Sequence, residues 1–205
     1  MAVSQTRPPT SPTRSSDRLG GVAGNQRLTA EMGAVLFVLL AALGFTIPSV
    51  RSLMYAHVFL GLLLIPPVGL KLASTGYRFA RYYTGDRAYR LAGPPAPLQR
   101  MIAPFVVLAT VAVFASGVML LVLGPGAGIW RNLHKAAFLV WFGVTTVHVL
   151  SYVTRVPGLA APDWRPNDTR LGGSGLRRLL VLGSVAVGVL VAAAGLPYAS
   201  AWTSP

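Results

Sequence analysis

The sequence predicts an all-α integral membrane protein, a helical bundle of five transmembrane helices, and three observations carry that prediction. Of its 205 residues 53% are hydrophobic and 11% charged, and mean hydropathy is +0.58. That charged fraction is less than half the roughly 25% of ordinary soluble domains. Several apolar runs approach the ~20 residues that span a bilayer, and long unbroken runs mean helices rather than the alternating strands of a barrel. The net charge of +13 sits in the segments between those runs, the pattern of membrane orientation and anionic-lipid contact. Basic and aromatic residues do not interleave on any soluble domain, so no nucleic-acid partner is expected.

Residues 1–30 are rich in Ser, Thr, Pro, Gly and Arg without apolar periodicity and read as a disordered tail. The first span covers about 31–47 and stops at Pro48. With no small-residue cleavage site behind it, it reads as an uncleaved helix rather than a removed signal. The second covers about 53–76 and contains Pro66-Pro67, which should bend it. A basic loop holding the turn-forming Gly93-Pro94-Pro95 leads to the third span, about 102–123, closed by Gly124-Pro125-Gly126. The fourth covers about 133–154 and stops before Pro157, and a second basic loop precedes the fifth, about 179–196. The transmembrane domain as a whole is expected over 31–201.

Fourteen basic residues lie in the tail and the two basic loops, against Arg51, Arg131 and Lys135 on the other side, with Lys71 set aside. The positive-inside bias places the N-terminus in the cytoplasm and the C-terminus outside a cell (plasma) membrane. Span five carries Ser184, Gly188 and Ala192 at four-residue intervals, a small-xxx-small face suited to close helix packing or to a homo-oligomer. The absence of cysteine excludes disulfides, thiolate-held iron–sulfur clusters, covalently attached haem and thiol catalysis.

The three histidines carry the chemistry. His134 and His148 are fourteen positions apart on span four. At ~100° per residue they share a face to within about 40°, some 21 Å apart along the axis. Orientation puts His57 of span two at the depth of His134, on a different helix, as a bis-histidine b-type haem requires. Gly61, one turn below His57, would let a flat macrocycle approach, and Arg51, Tyr55, Arg131 and Lys135 form a rim whose cations suit haem propionates. His148 has no fourth histidine to face; Lys71, fourteen positions after His57, matches its depth. Lys71 reads either as an axial ligand of a second haem or as a lysine snorkelling to the interface. Trp141, midway between the span-four histidines, reads as core packing, and Met119 is a fallback ligand at outer depth. The plain alternative for the histidines is interhelical hydrogen bonding or interfacial placement.

This pattern resembles the bacterial cytochrome b(561)-like membrane subunits, including those serving hydrogenases and formate dehydrogenases, over roughly residues 53–155. The run from His57 through Pro66-Pro67, Lys71 and Arg78 to Tyr82-Tyr83 is also similar to actinobacterial-type membrane cytochromes. The resemblance implies a four-helix haem-binding core in which two b haems pass electrons between a quinone pool and a partner protein. This chain departs from the family at Lys71, where a second histidine would complete the inner site. The expectation is a non-catalytic electron-transfer subunit holding one haem b, or two, through His57, His134 and His148 (with Lys71 in the second site). No segment is large enough to hold flavin, nicotinamide or molybdenum. The competing expectation is a haem-free small transporter or scaffold, in which the histidines and Lys71 serve proton relay or packing. A single metal site shared by all three histidines is excluded by the ~21 Å between His134 and His148.

Overall fold

A computed structural model describes residues 19–94, 96–165 and 171–203. The chain runs through α1 (Gly21–Thr46), a 3-10 turn at Ile47–Ser49, α2 (Met54–Tyr83), α3 (Arg87–Leu91), α4 (Pro97–Leu123) and α5 (Gly128–Leu150). It continues through α6 (Val156–Ala160), a 3-10 turn at Ala161–Trp164, α7 (Ser174–Gly195) and a 3-10 segment at Leu196–Trp202. There is no strand among the described residues. Among the described residues five helices are long and apolar enough to cross a membrane, so the all-α membrane bundle and its five segments stand.

The helices outrun the apolar runs. α1 begins at Gly21 rather than about Glu31, α2 continues to Tyr83, α4 begins at Pro97 and α7 at Ser174. Hydropathy marks only the lipid-facing part of a helix, whereas backbone hydrogen bonding carries it on until a breaker arrives. Pro97 opens α4, and Gly124, with φ +76°, closes it. The expected tail over 1–30 is corrected accordingly, since residues 21–30 are helical; residues 1–18 lie outside the described residues, as does Pro95.

Two groups of helices make the bundle. α2 packs between α1 and α7, with α6 against α1 and the final 3-10 segment against α2. α4 and α5 form an antiparallel hairpin that meets α2 through α4; α2 and α5 share no comparable packing. The buried cluster of Leu28, Met32 and Val181 joins α1 to α7, backed by Val35, Leu70 and Leu180. Large apolar side chains point outward instead, among them Phe105 and Leu108 of α4, Leu139 and Phe142 of α5, and Leu182 and Leu190 of α7. In a membrane protein such a surface is the lipid contact.

The small-residue face of α7 is spent inside the chain. Pro66 and Pro67 lack N–H groups, so the carbonyls of Leu62 and Leu63 lose their helical donors. Gly188 seats against this weakened turn: a Cβ there would stand 2.3 Å from the Leu63 oxygen. Gly188 and Ala192 are both buried. The face expected to serve packing or self-association is therefore occupied by α2.

One end of the bundle carries α1's start, α2's end, α5's exit and α7's start, and a buried ionic latch ties the starts of α1 and α7 to the 3-10 turn after α6. Arg177, fully buried, grips both carboxylate oxygens of Asp163 through Nε and Nη2, the latter at 2.8 Å. Its Nη1 donates to the carbonyls of Leu19 (2.6 Å) and Gly172 (2.8 Å). Arg27 of α1 donates to the same carboxylate at 2.7 Å, and the buried Glu31 lies within its electrostatic reach. The approach of Leu19 needs Gly24, where a Cβ would stand 1.5 Å from the Leu19 oxygen. Burial alone would push the Asp163 carboxyl up, but the hydrogen bonds from Arg177 and Arg27 outweigh it and hold the group well below the usual carboxylate range.

Two outcomes follow. Gly188→Ala should lower the thermal midpoint in detergent, with a cost of about 1–3 kcal/mol for forcing α7 off α2. Gly183→Ala, facing open space five residues earlier, should leave the midpoint unchanged or slightly raised. Because the folded Asp163 carboxyl titrates below the unfolded value of ~3.9, its contribution is complete above that pH and is lost as pH falls toward the folded value. Acid unfolding followed by circular dichroism should therefore steepen below about pH 4 in the wild type. Asp163→Asn should be less stable at neutral pH and should lack that steepening.

Candidate functional site

The site lies where α2 and α5 face each other without packing. His57, one turn into α2, and His134, near the start of α5, are both half-buried and within electrostatic reach of each other. At the other end of the same two helices Lys71 and His148 stand in the same relation. No group of three or more His, Asp or Glu side chains converges among the described residues, so the available donor sets are pairs.

Each histidine is held by one ring nitrogen. His57 Nδ1 lies 2.8 Å from the Thr46 hydroxyl, whose own hydrogen goes to the Leu43 carbonyl at 2.6 Å. With that hydrogen committed, Thr46 accepts and His57 Nδ1 donates. His134 Nδ1 lies 3.0 Å from the carbonyl of Val113, which can only accept, and 3.1 Å from Ser116, whose hydroxyl donates to Ala112 O at 2.6 Å. His148 Nδ1 donates to Oε1 of Gln99 at 3.0 Å. In all three rings the proton is on Nδ1, and Nε2 keeps its lone pair with no hydrogen bond among the described residues. That is the state a metal-ligating imidazole takes, with the second nitrogen anchored and the first open.

Local packing explains the orientations. The His134 ring lies against Gly117 of α4, where a Cβ would come within 3.1 Å of Cε1. Gly61, one turn beyond His57, has nothing within 4 Å of a Cβ position, leaving that face of α2 open. Trp141 donates from Nε1 to Thr110 of α4 at 3.1 Å. His134, Trp141 and His148 thus bond α4 at three levels along the hairpin. His148 also packs against Tyr152 at a tilt of 55°, with ring centroids 5.2 Å apart.

Lys71 turns the other way. Its Nζ donates to the Thr29 carbonyl at 2.5 Å, and Gly33 makes room for it, a Cβ there falling 3.2 Å from Nζ. At the His57 end, Arg131 donates to the Pro125 carbonyl and lies over the Trp202 ring at 5.7 Å. Arg51 and Lys135 are exposed there, with no partner among the described residues. Tyr55 accepts from Thr203 at 3.3 Å, and Met119 is half-buried in α4.

Thr46, Ser116, Gly117 and Gln99 are the residues that sequence reasoning missed. For Thr46 and Ser116 a signal was present, since a lone hydroxyl inside an apolar run needs a partner on a neighbouring helix. Family models, curated proteins and solved structures contain no match to the chain. The resemblance to cytochrome b(561)-like subunits accordingly rests on the histidine pattern alone.

Histidine-selective 15N labelling tests the arrangement. In protein prepared without added haem, all three histidines should show a protonated Nδ1 and an unprotonated Nε2. Thr46→Val should release only His57 into a tautomer mixture. Protonated Nε2 at His57 and His134 would contradict the geometry.

Proposed function

We propose that the protein is a membrane b-type cytochrome, a non-catalytic electron-transfer subunit that holds one haem b between His57 and His134. The single observation that carries this reading is the pair of anchored imidazoles on α2 and α5. Each donates through Nδ1 to its own neighbour and keeps Nε2 open, and the two helices make no close packing with each other. A bound haem supplies one-electron iron redox chemistry, tuned by its axial ligands and their hydrogen bonds. This chain's residues supply the rest. Thr46 and the Val113 carbonyl fix the imidazole tautomers, Gly61 keeps the α2 face clear, and Arg51 and Arg131 supply cations at the rim for propionates. Electrons would pass between a redox partner protein and quinone or another acceptor.

The charge bias favours insertion in the cell membrane with the basic end, and hence the N-terminus, in the cytoplasm. His57 and His134 would then lie near the outer face.

Protein expressed with adequate haem should be coloured and show reduced-minus-oxidised bands of haem b. His57→Ala and His134→Ala should each abolish those bands, and His148→Ala should retain them. A colourless wild type, or bands that survive both His57→Ala and His134→Ala, would end the proposal.

A further inference from the structure

The corner of the bundle where α2 ends, α3 turns and α4 begins carries Arg78, Arg81, Arg87, Arg90 and Arg100 but only one carboxylate, Asp86. That carboxylate is already engaged. One oxygen caps α3 by accepting from the amides of Ala88 (3.0 Å) and Tyr89 (3.2 Å), and the other takes Arg81. Arg87, Arg90 and Arg100 are exposed and meet no carboxylate among the described residues. At the latch, by contrast, Arg27 and Arg177 share Asp163. The three unneutralised cations are nonetheless gathered. Tyr89 is buried against Tyr77, with ring centroids 5.9 Å apart, and this fixes the roll of α3. Arg87 and Arg90 therefore lie on its outward face beside Leu91, which is 79% exposed. Arg90 folds back over the turn at Gly85, where a Cβ would stand 3.3 Å from its Nη2. Arg100 reaches from α4 to the same end of α2, its Nη2 3.5 Å from the Tyr83 hydroxyl.

Depth identifies the occupant. The 30 residues of α2 make about 45 Å of helix against a ~30 Å hydrocarbon core, so its last turn reaches the lipid head groups. Toward the core from the arginines, Phe79 of α2 and Met101 and Phe105 of α4 stand exposed. A free anion would use only the cations, whereas a lipid uses both levels. We infer that Arg87, Arg90, Arg100 and the Tyr83 hydroxyl form a surface site for the phosphodiester head group of an anionic phospholipid. Its acyl chains run down the exposed apolar side chains of α2 and α4. The planar guanidinium matches phosphate oxygens two at a time, and the neighbouring tyrosine hydroxyl donates one more hydrogen bond. Binding supplies the counter-charge that Asp86 cannot. The inference needs only that the chain spans a membrane; it rests on neither the haem nor the direction of insertion.

The test uses the full chain in an uncharged maltoside detergent, titrated with dioleoyl phosphatidylglycerol or dioleoyl phosphatidylcholine, with bound lipid counted by native mass spectrometry. Phosphatidylglycerol should be retained saturably, and phosphatidylcholine about tenfold more weakly or less. Arg87→Gln, Arg90→Gln and Arg100→Gln should each weaken phosphatidylglycerol about fivefold, the equivalent of about 1 kcal/mol per arginine, and the triple variant should lose the preference. Arg155→Gln, Arg165→Gln and Arg178→Gln together remove the same charge from exposed positions at the same end of the bundle, and should leave the affinity unchanged. Equal retention of the two lipids would overturn the inference. So would equal weakening in the two triple variants, which would make the attraction a diffuse property of the basic end. Displacement of the lipid by millimolar inorganic phosphate would overturn it too, by assigning the cluster to a free anion.

Discussion

Every polar group carried into a bilayer must find its partner inside the chain, and this requirement shapes the molecule from end to end. At the basic end it produces the Arg177–Asp163 pair. A fully buried guanidinium is affordable only with a bidentate carboxylate and two carbonyls around it. Meeting that demand draws Leu19, the start of α1, the turn after α6 and the start of α7 to one point. Within the membrane the same requirement places Thr46 beside His57, Val113 and Ser116 beside His134, and Gln99 beside His148. The Leu63 carbonyl, left without its helical donor by Pro67, is covered instead by the close seat of Gly188.

The consequence is a division of labour between two helix groups. α1, α2 and α7 lock together through the latch, the Leu28–Met32–Val181 cluster and the glycine contact. α4 and α5 lock through side-chain hydrogen bonds at three levels. Between the groups α2 and α5 make no close packing, and across that seam His57 and His134 stand within electrostatic reach, while Lys71 turns to Thr29 on α1. Each imidazole is held from behind by its own group of helices, so Nε2 is left for whatever occupies the seam. A histidine serving only to join helices would gain nothing from such a vacancy at both Nε2 positions.

Much of this was legible in the sequence. Hydropathy alone gave five spans, because a helix in lipid must be apolar for ~20 residues. The alternation of spans placed His57 at the depth of His134 and Lys71 at the depth of His148, and the structure brings each pair within electrostatic reach. Helix ends were not legible: α1 starts before Glu31 because Arg27 and Glu31 find charged partners on distant segments, which no local window registers. The small-residue face of α7 was visible but its occupant was not, since Gly188 answers to a carbonyl freed by a proline over a hundred residues earlier. The hydroxyls of Thr46 and Ser116 showed that a partner was needed, but which histidine they and Gln99 would meet was hidden for the same reason. A tautomer is decided by a neighbour in space, and the spacing of histidines along one helix carries no record of it.

The central claim is that the α2–α5 seam holds one iron between two imidazoles, and haem content per chain measures it most directly. Wild-type protein purified after expression with adequate haem should contain one haem b per polypeptide. A chain that purifies folded and with no haem would contradict the account.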